Sequence, residues 1–190
     1  SSDLINMLQK PKKLQAGDLI ATASLSSGMA GEDAFLARYL CGKSRVEGLF
    51  DLKVTELPHT LKGEDYVHNH PEERARDLAD AFMDESIKGI FSCIGGEDSL
   101  RMIPYIDYES IRNHPKIFLG YSDSTITHLI CYKAGIMSYY GPSILAEFAE
   151  NGGLFKYTEK WVKKVLFSGG LIGEVEPPAE WAGEVIPWDG

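Results

Sequence analysis

Short apolar runs alternate along this chain with stretches whose apolar residues recur at helical spacing, and glycine-containing turns separate them. A strand, a helix and a second strand in that order form a right-handed crossover. Repeated, the unit builds a mainly parallel sheet with helices on both faces. The fold class expected is therefore α/β, of the Rossmann or flavodoxin-like kind. Residues 18–23 read as a short buried strand, 52–57 as a second that alternates, 87–94 as a third, 116–119 as a fourth and 136–140 as a fifth.

Between them, Phe35, Leu36, Tyr39 and Leu40 mark a helix that Val46, Leu49 and Phe50 extend past an expected break near Gly42. Pro71 opens a clear helix, with Asn69 or His70 as its cap, Glu72 and Glu73 in its positive first turn, and Ala75, Leu78, Ala79 and Phe82 as its apolar stripe. A short helix carries Leu100 and Ile103, another runs from the 120–125 turn to Gly135, and two more follow. The last of these turns Trp161, Val162, Val165 and Leu166 inward. Three stretches result: a leader at 1–17, the α/β body at 18–168, and a glycine- and proline-rich segment at 169–190 that reads as a linker toward a further domain.

Composition narrows the function. The 190 residues carry 19 basic and 28 acidic side chains, a formal charge of −9, so no basic face is at hand to neutralise nucleic-acid phosphates. No apolar run approaches the roughly 20 residues that span a bilayer. Three cysteines, Cys41, Cys93 and Cys131, form no CxxC pair and sit among apolar neighbours, which suits buried free thiols in a reducing, cytoplasmic setting.

In an open parallel sheet the ligand crevice lies at the carboxyl ends of the strands. Three loops leave such ends, at 24–31, 95–98 and 120–124. In the third, Ser122 stands between a strand and a helix behind Gly120, the layout of a nucleophile elbow. That layout would expose its hydroxyl and aim the Asp123 N–H where an oxyanion forms. The usual elbow has glycine where Ser124 stands, and Ser122 and Asp123 would equally serve as helix caps. Gly95-Gly96 could offer a second oxyanion donor or be a tight turn. It is no phosphate loop, since it lacks the lysine and carries Glu97 and Asp98. None of the five histidines makes a convincing base: His128, six residues past Ser122, is turned away on the helix, and His114 precedes a proline. His59, His68 and His70 lack the carboxylate pattern of a metal site, so no metal and no cofactor are expected.

The segments Cys93-Ile94-Gly95-Gly96-Glu97-Asp98-Ser99-Leu100-Arg101-Met102-Ile103-Pro104-Tyr105-Ile106-Asp107 and Lys116-Ile117-Phe118-Leu119-Gly120-Tyr121-Ser122-Asp123-Ser124-Thr125 resemble the glycine-pair and nucleophile segments of the LD-carboxypeptidase family. Tyr140-Gly141-Pro142-Ser143 and Leu57-Pro58-His59-Thr60-Leu61 fit it too. The likeness, nearest the branch of microcin C self-immunity peptidases, runs from about Lys12 to Asp189. It implies a serine peptidase that hydrolyses an amide at a carboxyl end, of a murein peptide or of an aminoacyl-nucleotide. Ser122 would be the nucleophile. The amides of Asp123 and of Gly95 or Gly96 would form the oxyanion hole, with Gly96 favoured as lying farther into the loop.

In that family a glutamate and a histidine complete the triad from a C-terminal domain. The resemblance implies that this domain is absent from a chain ending at Gly190, which alone would then be inactive. The expected partner is a small peptide or aminoacyl-nucleotide. Self-association is expected through the face that the second domain would cover, near Trp181 and Trp188. The rival reading is a non-enzymatic module that binds the same ligands.

Overall fold

The computed structural model describes residues 8–181, 183 and 188. Five strands form one sheet: β1 (Leu19–Ala23), β2 (Lys53–Glu56), β3 (Ile87–Ser92), β4 (Ile117–Gly120) and β5 (Tyr139–Tyr140). Their order is β2-β1-β3-β4-β5 and every pairing is parallel, with Ala21 opposite Thr55 on one side and Ile90 on the other. The mainly parallel sheet expected from the sequence is thus wholly parallel. Strand order reverses between β1 and β3, and a flavodoxin-like sheet of this order opens its ligand crevice at that switch point.

Side-chain alternation divides the core into two layers. Ile20, Phe91, Ile117 and Leu119 face α1 (Asp33–Phe50) and α6 (Lys156–Val162), packing with Tyr39, Val46, Phe50, Val162 and Leu166. Ala21, Ile90 and Phe118 face the opposite layer of α3 (Pro71–Met83), α4 (Tyr108–Asn113) and α5 (Thr125–Ala134), packing with Leu78, Phe82, Ile111, Ile130 and Cys131. Successive strand residues point to opposite faces, so one short strand serves both layers. The 8–17 segment returns to this body: Leu14 is buried in the first layer, and Gln9 bridges to Ile136.

Several sequence expectations change. No break occurs at Gly42, because α1 runs unbroken to Phe50. The glycine answers a close approach instead, since a Cβ there would lie 2.1 Å from the Ile144 carbonyl oxygen. Two six-residue helices were not anticipated, α2 (Glu64–Asn69) and α4. Neither is long enough to display a helical period. Local chemistry starts α4, where the Asp107 carboxylate accepts the N–H groups of Glu109 and Ser110. His70 holds the cap position of α3 but makes no side-chain cap bond; its Nδ1 pairs with the Tyr66 carbonyl. In the turn at 99–105 the inward residues are Ser99 and Met102, while Leu100 and Ile103 are exposed. Of the expected fifth strand only Tyr139 and Tyr140 pair with β4. The first of the two final helices is a three-residue 3-10 turn at 147–149; the second, α6, continues as a π-helical turn to Phe167. Trp181 is exposed, and Trp188 lies edge-on to Phe35 and over the Arg38 guanidinium.

Candidate active site

The loops leaving β1, β3 and β4 converge on an open cavity of about 460 Å³. Ser26 and Ser27 line it from the first loop, Gly95 to Asp98 from the second, and Tyr121 and Ser122 from the third, with Glu64 of α2 at the side. All three loops singled out in the sequence therefore meet, and they meet beside the β1/β3 switch point.

Ser122 has φ +62°, one of two non-glycine residues in the described chain with positive φ. An L-residue in that region costs about 1–2 kcal/mol, so the surrounding structure must hold it there. Tyr121 is fully extended, and a 3-10 turn at Ser122–Ser124 leads directly into α5, which makes the turn sharp and leaves Ser122 exposed. Three bonds fasten it: the Ser122 N–H donates to the Tyr140 hydroxyl at 3.0 Å, and the Ser122 carbonyl accepts from Thr125 Oγ1 at 2.6 Å and from the Thr125 N–H. Below, Ser92 and Ser124 share a buried hydroxyl pair at 2.9 Å. Ser122 and Asp123 do not cap the helix through their side chains: the cap positions fall on Tyr121 and Ser124, neither with a side-chain cap bond, and the Asp123 carboxylate is turned to Ser99.

The two glycines do different things. A Cβ on Gly95 would stand 2.7 Å from Ser122 Cβ, 2.9 Å from its Oγ and 3.5 Å from the Asp123 nitrogen. A Cβ on Gly96 would instead strike the first loop, 2.5 Å from the Ser26 carbonyl oxygen. Gly95 is thus the glycine pressed against the serine, and Gly96 seats the second loop on the first. The Asp123 side chain has a role the sequence reading did not give it: Oδ2 accepts the Ser99 N–H at 3.0 Å, and the Asp123 carbonyl accepts the Ser99 hydroxyl at 2.9 Å. These bonds tie the second loop to the third.

Arg74 was also missed. Its side chain is wholly buried in α3, donating to the Leu25 carbonyl at 2.9 Å and to Asp98 Oδ2 at 2.7 Å. The available signal was a basic side chain set among the inward residues Pro71, Ala75 and Leu78. Glu64 plays a matching part at the first loop, accepting the Ser27 hydroxyl at 2.5 Å and the Gly28 N–H at 3.1 Å.

Each histidine engages a partner other than Ser122. His128 Nε2 bonds the Gly120 carbonyl at 2.9 Å and Nδ1 bonds Ser138 Oγ at 2.8 Å, behind the elbow. Burial lowers its pKa, which favours the neutral ring with its proton on Nε2. His59 is clamped by the buried Asp77, whose own pKa burial raises against the bonds from His59. His68 faces Asp98 and Arg101, while His70 and His114 bond main-chain carbonyls. Burial, reinforced by Glu147, pushes the Tyr121 phenol up to about 12, so it stays protonated at neutral pH. Among the described residues no group of three His, Cys, Asp or Glu could hold a metal, and no helix is long and apolar enough to cross a membrane.

Comparison with known proteins identifies the family. A family model described as the LD-carboxypeptidase N-terminal domain matches residues 20–141. The microcin C7 self-immunity protein MccF of Escherichia coli is 33% identical over 132 residues, covering 68% of this chain and 38% of its own. A "Probable murein peptide carboxypeptidase" of Bacillus subtilis is 34% identical over 140 residues, covering 71% and 41%. The crystal structure of an MccF-like protein from Streptococcus pneumoniae in complex with AMP superposes with a TM-score of 0.75 at 39% identity, over 82% of this chain and 46% of that one. The chain therefore spans less than half the length of each of these three.

Proposed function

Because the chain belongs to the LD-carboxypeptidase family, we propose that it bears the nucleophile and the oxyanion hole of a serine-type amide hydrolase. The observation that carries this reading is the left-handed backbone of Ser122, held at the end of β4 with Gly95 against its side chain. A strained, solvent-facing serine is costly to keep as a mere turn residue and useful as a nucleophile.

The Ser122 hydroxyl attacks the carbonyl carbon of the scissile amide, and the carbonyl oxygen takes up negative charge. The Asp123 N–H, next to the start of α5, and an N–H from Gly95-Gly96 receive that oxygen. Each such donor is worth about 3 kcal/mol in the transition state. The amine departs with a proton, and water then releases the acyl group from Ser122. Ser122 also needs a base, and all five histidines are engaged elsewhere. The glutamate and histidine of the family's triad come from outside these 190 residues in this reading, and the chain by itself is inactive. Cys93 and Cys131 are buried free thiols, while Cys41, expected to be buried, is partly exposed; unpaired cysteines suit a cytoplasmic setting.

The substrate is an amide at a carboxyl end. The AMP held by the Streptococcus relative supports an aminoacyl-nucleotide, and the murein carboxypeptidase relative supports an LD-peptide.

The test uses the protein expressed from its complete reading frame, treated with a fluorophosphonate and mapped by peptide mass spectrometry. The adduct is expected on Ser122, with hydrolysis of an aminoacyl sulfamoyl nucleotide or of a murein tetrapeptide lost in Ser122→Ala. An adduct on another residue, or full activity in Ser122→Ala, overturns the reading. The pair of substrates separates the two classes.

A further inference from the structure

The second loop must hold its glycine amides at a fixed place relative to Ser122, yet it contains two glycines and no regular secondary structure between β3 and Ser99. What fixes it lies beneath the cavity. Gly96 rests on the main chain of Ser26, so close that a Cβ would meet the Ser26 oxygen at 2.5 Å. On one side of that contact Arg74 Nη1 holds the carbonyl of Leu25, the residue before Ser26, at 2.9 Å. On the other side Arg74 Nη2 holds the carboxylate of Asp98, two residues past Gly96, at 2.7 Å. The same Nη1 reaches the Asp98 carbonyl at 3.4 Å. One guanidinium thereby spans both loops across the point where they touch. Ser99, next in sequence, is bonded to Asp123 beside the nucleophile.

We infer that Arg74, through Asp98, is a positioning residue that sets the glycine-pair amides against Ser122. Burying a guanidinium is expensive, and Arg74 is only 1% exposed. A planar fork that can hold two acceptors at once explains why arginine, and not lysine, stands here. A merely structural ion pair would have no need to straddle the two loops that line the cavity. Displacing an oxyanion donor weakens the transition state more than the ground state, so the effect falls on the chemical step.

This inference rests on the proposed role of Ser122, and its test separates the two. The full-length protein and its Arg74→Lys, Arg74→Met and Asp98→Asn variants are titrated with a fluorophosphonate. The maximal inactivation rate and the half-saturating concentration are measured per folded molecule. Attack by Ser122 Oγ forms the O–P bond, releases the hydroxyl proton to solvent, expels fluoride and places a phosphoryl oxygen in the same hole as the amide oxygen. The maximal rate should fall at least tenfold in Arg74→Met and about fivefold in Asp98→Asn, with Arg74→Lys between wild type and Arg74→Met. The half-saturating concentration should change less than threefold. The double variant Arg74→Met/Asp98→Asn should be no slower than Arg74→Met alone, since both remove one link.

Asp98 is partly exposed, so Asp98→Asn keeps the test open if Arg74→Met fails to fold. An unchanged maximal rate in folded Asp98→Asn and Arg74→Lys overturns the inference, as does an effect confined to the half-saturating concentration. Failure of the wild type to label at Ser122 overturns the function reading instead.

Discussion

Gly95 and Ser122 are packed so closely that any side chain on the glycine would occupy the space of the serine Cβ, at 2.7 Å. Each limits what the other can be. That contact gives a prediction independent of any substrate. Gly95→Ala should destabilise the protein by about 1–3 kcal/mol, the usual cost of forcing extra volume into a packed site. It should also slow phosphonate labelling at least tenfold. In a Ser122→Gly background the same substitution should cost less by about 1 kcal/mol, because the atoms it strikes are gone. A thermal-unfolding cycle with no coupling between the two positions would contradict the contact. Gly96→Ala behaves differently, since its clash is with the main-chain oxygen of Ser26, which no rotamer change relieves.

Ser122 itself trades stability for exposure. With φ at +62° it sits where glycine is at ease and other residues are not. Ser122→Gly should leave stability equal or raise it by up to about 1 kcal/mol, strain relief being partly offset by the greater freedom of the unfolded chain. All labelling should vanish. A fall of more than 1 kcal/mol by denaturant unfolding would show that the conformation is unstrained.

Two glycines of one helix should respond with opposite signs. In α1, Gly42 lies under the Ile144 carbonyl, whereas the space around Gly48 is open. Gly42→Ala should cost about 2–3 kcal/mol, a drop of roughly 5–10 °C in Tm for a chain of this size. Gly48→Ala should gain about 0.5–1 kcal/mol from helix propensity alone. Calorimetry on the two variants settles the matter.

Thiol chemistry should distinguish one cysteine from the other two. Burial pushes Cys93 and Cys131 up to about 12, leaving roughly 10⁻⁴ of each as thiolate at pH 8, and both lack access to solvent. Cys41 is partly exposed. Iodoacetamide at pH 8 should therefore modify Cys41 first. The other two should follow only in denaturant, as read by mass spectrometry. Alkylation of Cys93 at a rate matching Cys41 in the native protein would be evidence against the packing of the first core layer.

Several features of the site were legible in the chain itself. The alternation of strands and helices placed three loops at one sheet edge, and Gly120-Tyr121-Ser122 between a strand and a helix marked the sharp turn at Ser122. Both are local: a period of two or 3.6 and a glycine beside a serine are written in neighbouring residues. Helical rotation turns His128 away from Ser122, yet in the fold its ring bonds the carbonyl of Gly120, two residues before the serine. The short helices α2 and α4 escaped because one and a half turns show no period. Gly42 reads as a break in the sequence because a glycine in a helix looks the same whether it interrupts the helix or admits a neighbour.

The linear pattern thus determined the layers of the fold, the strand edge where the three loops gather and the serine presented there, since hydrophobic periodicity and turn propensity act over a few residues. Only the tertiary structure decided which glycine touches Ser122. It also decided that Tyr140 holds the serine's N–H and that Arg74 reaches both Leu25 and Asp98. Such pairings join residues 18 to 49 positions apart. They are chosen by where the crossovers set each buried donor, and a buried donor must find its acceptor in space rather than along the chain.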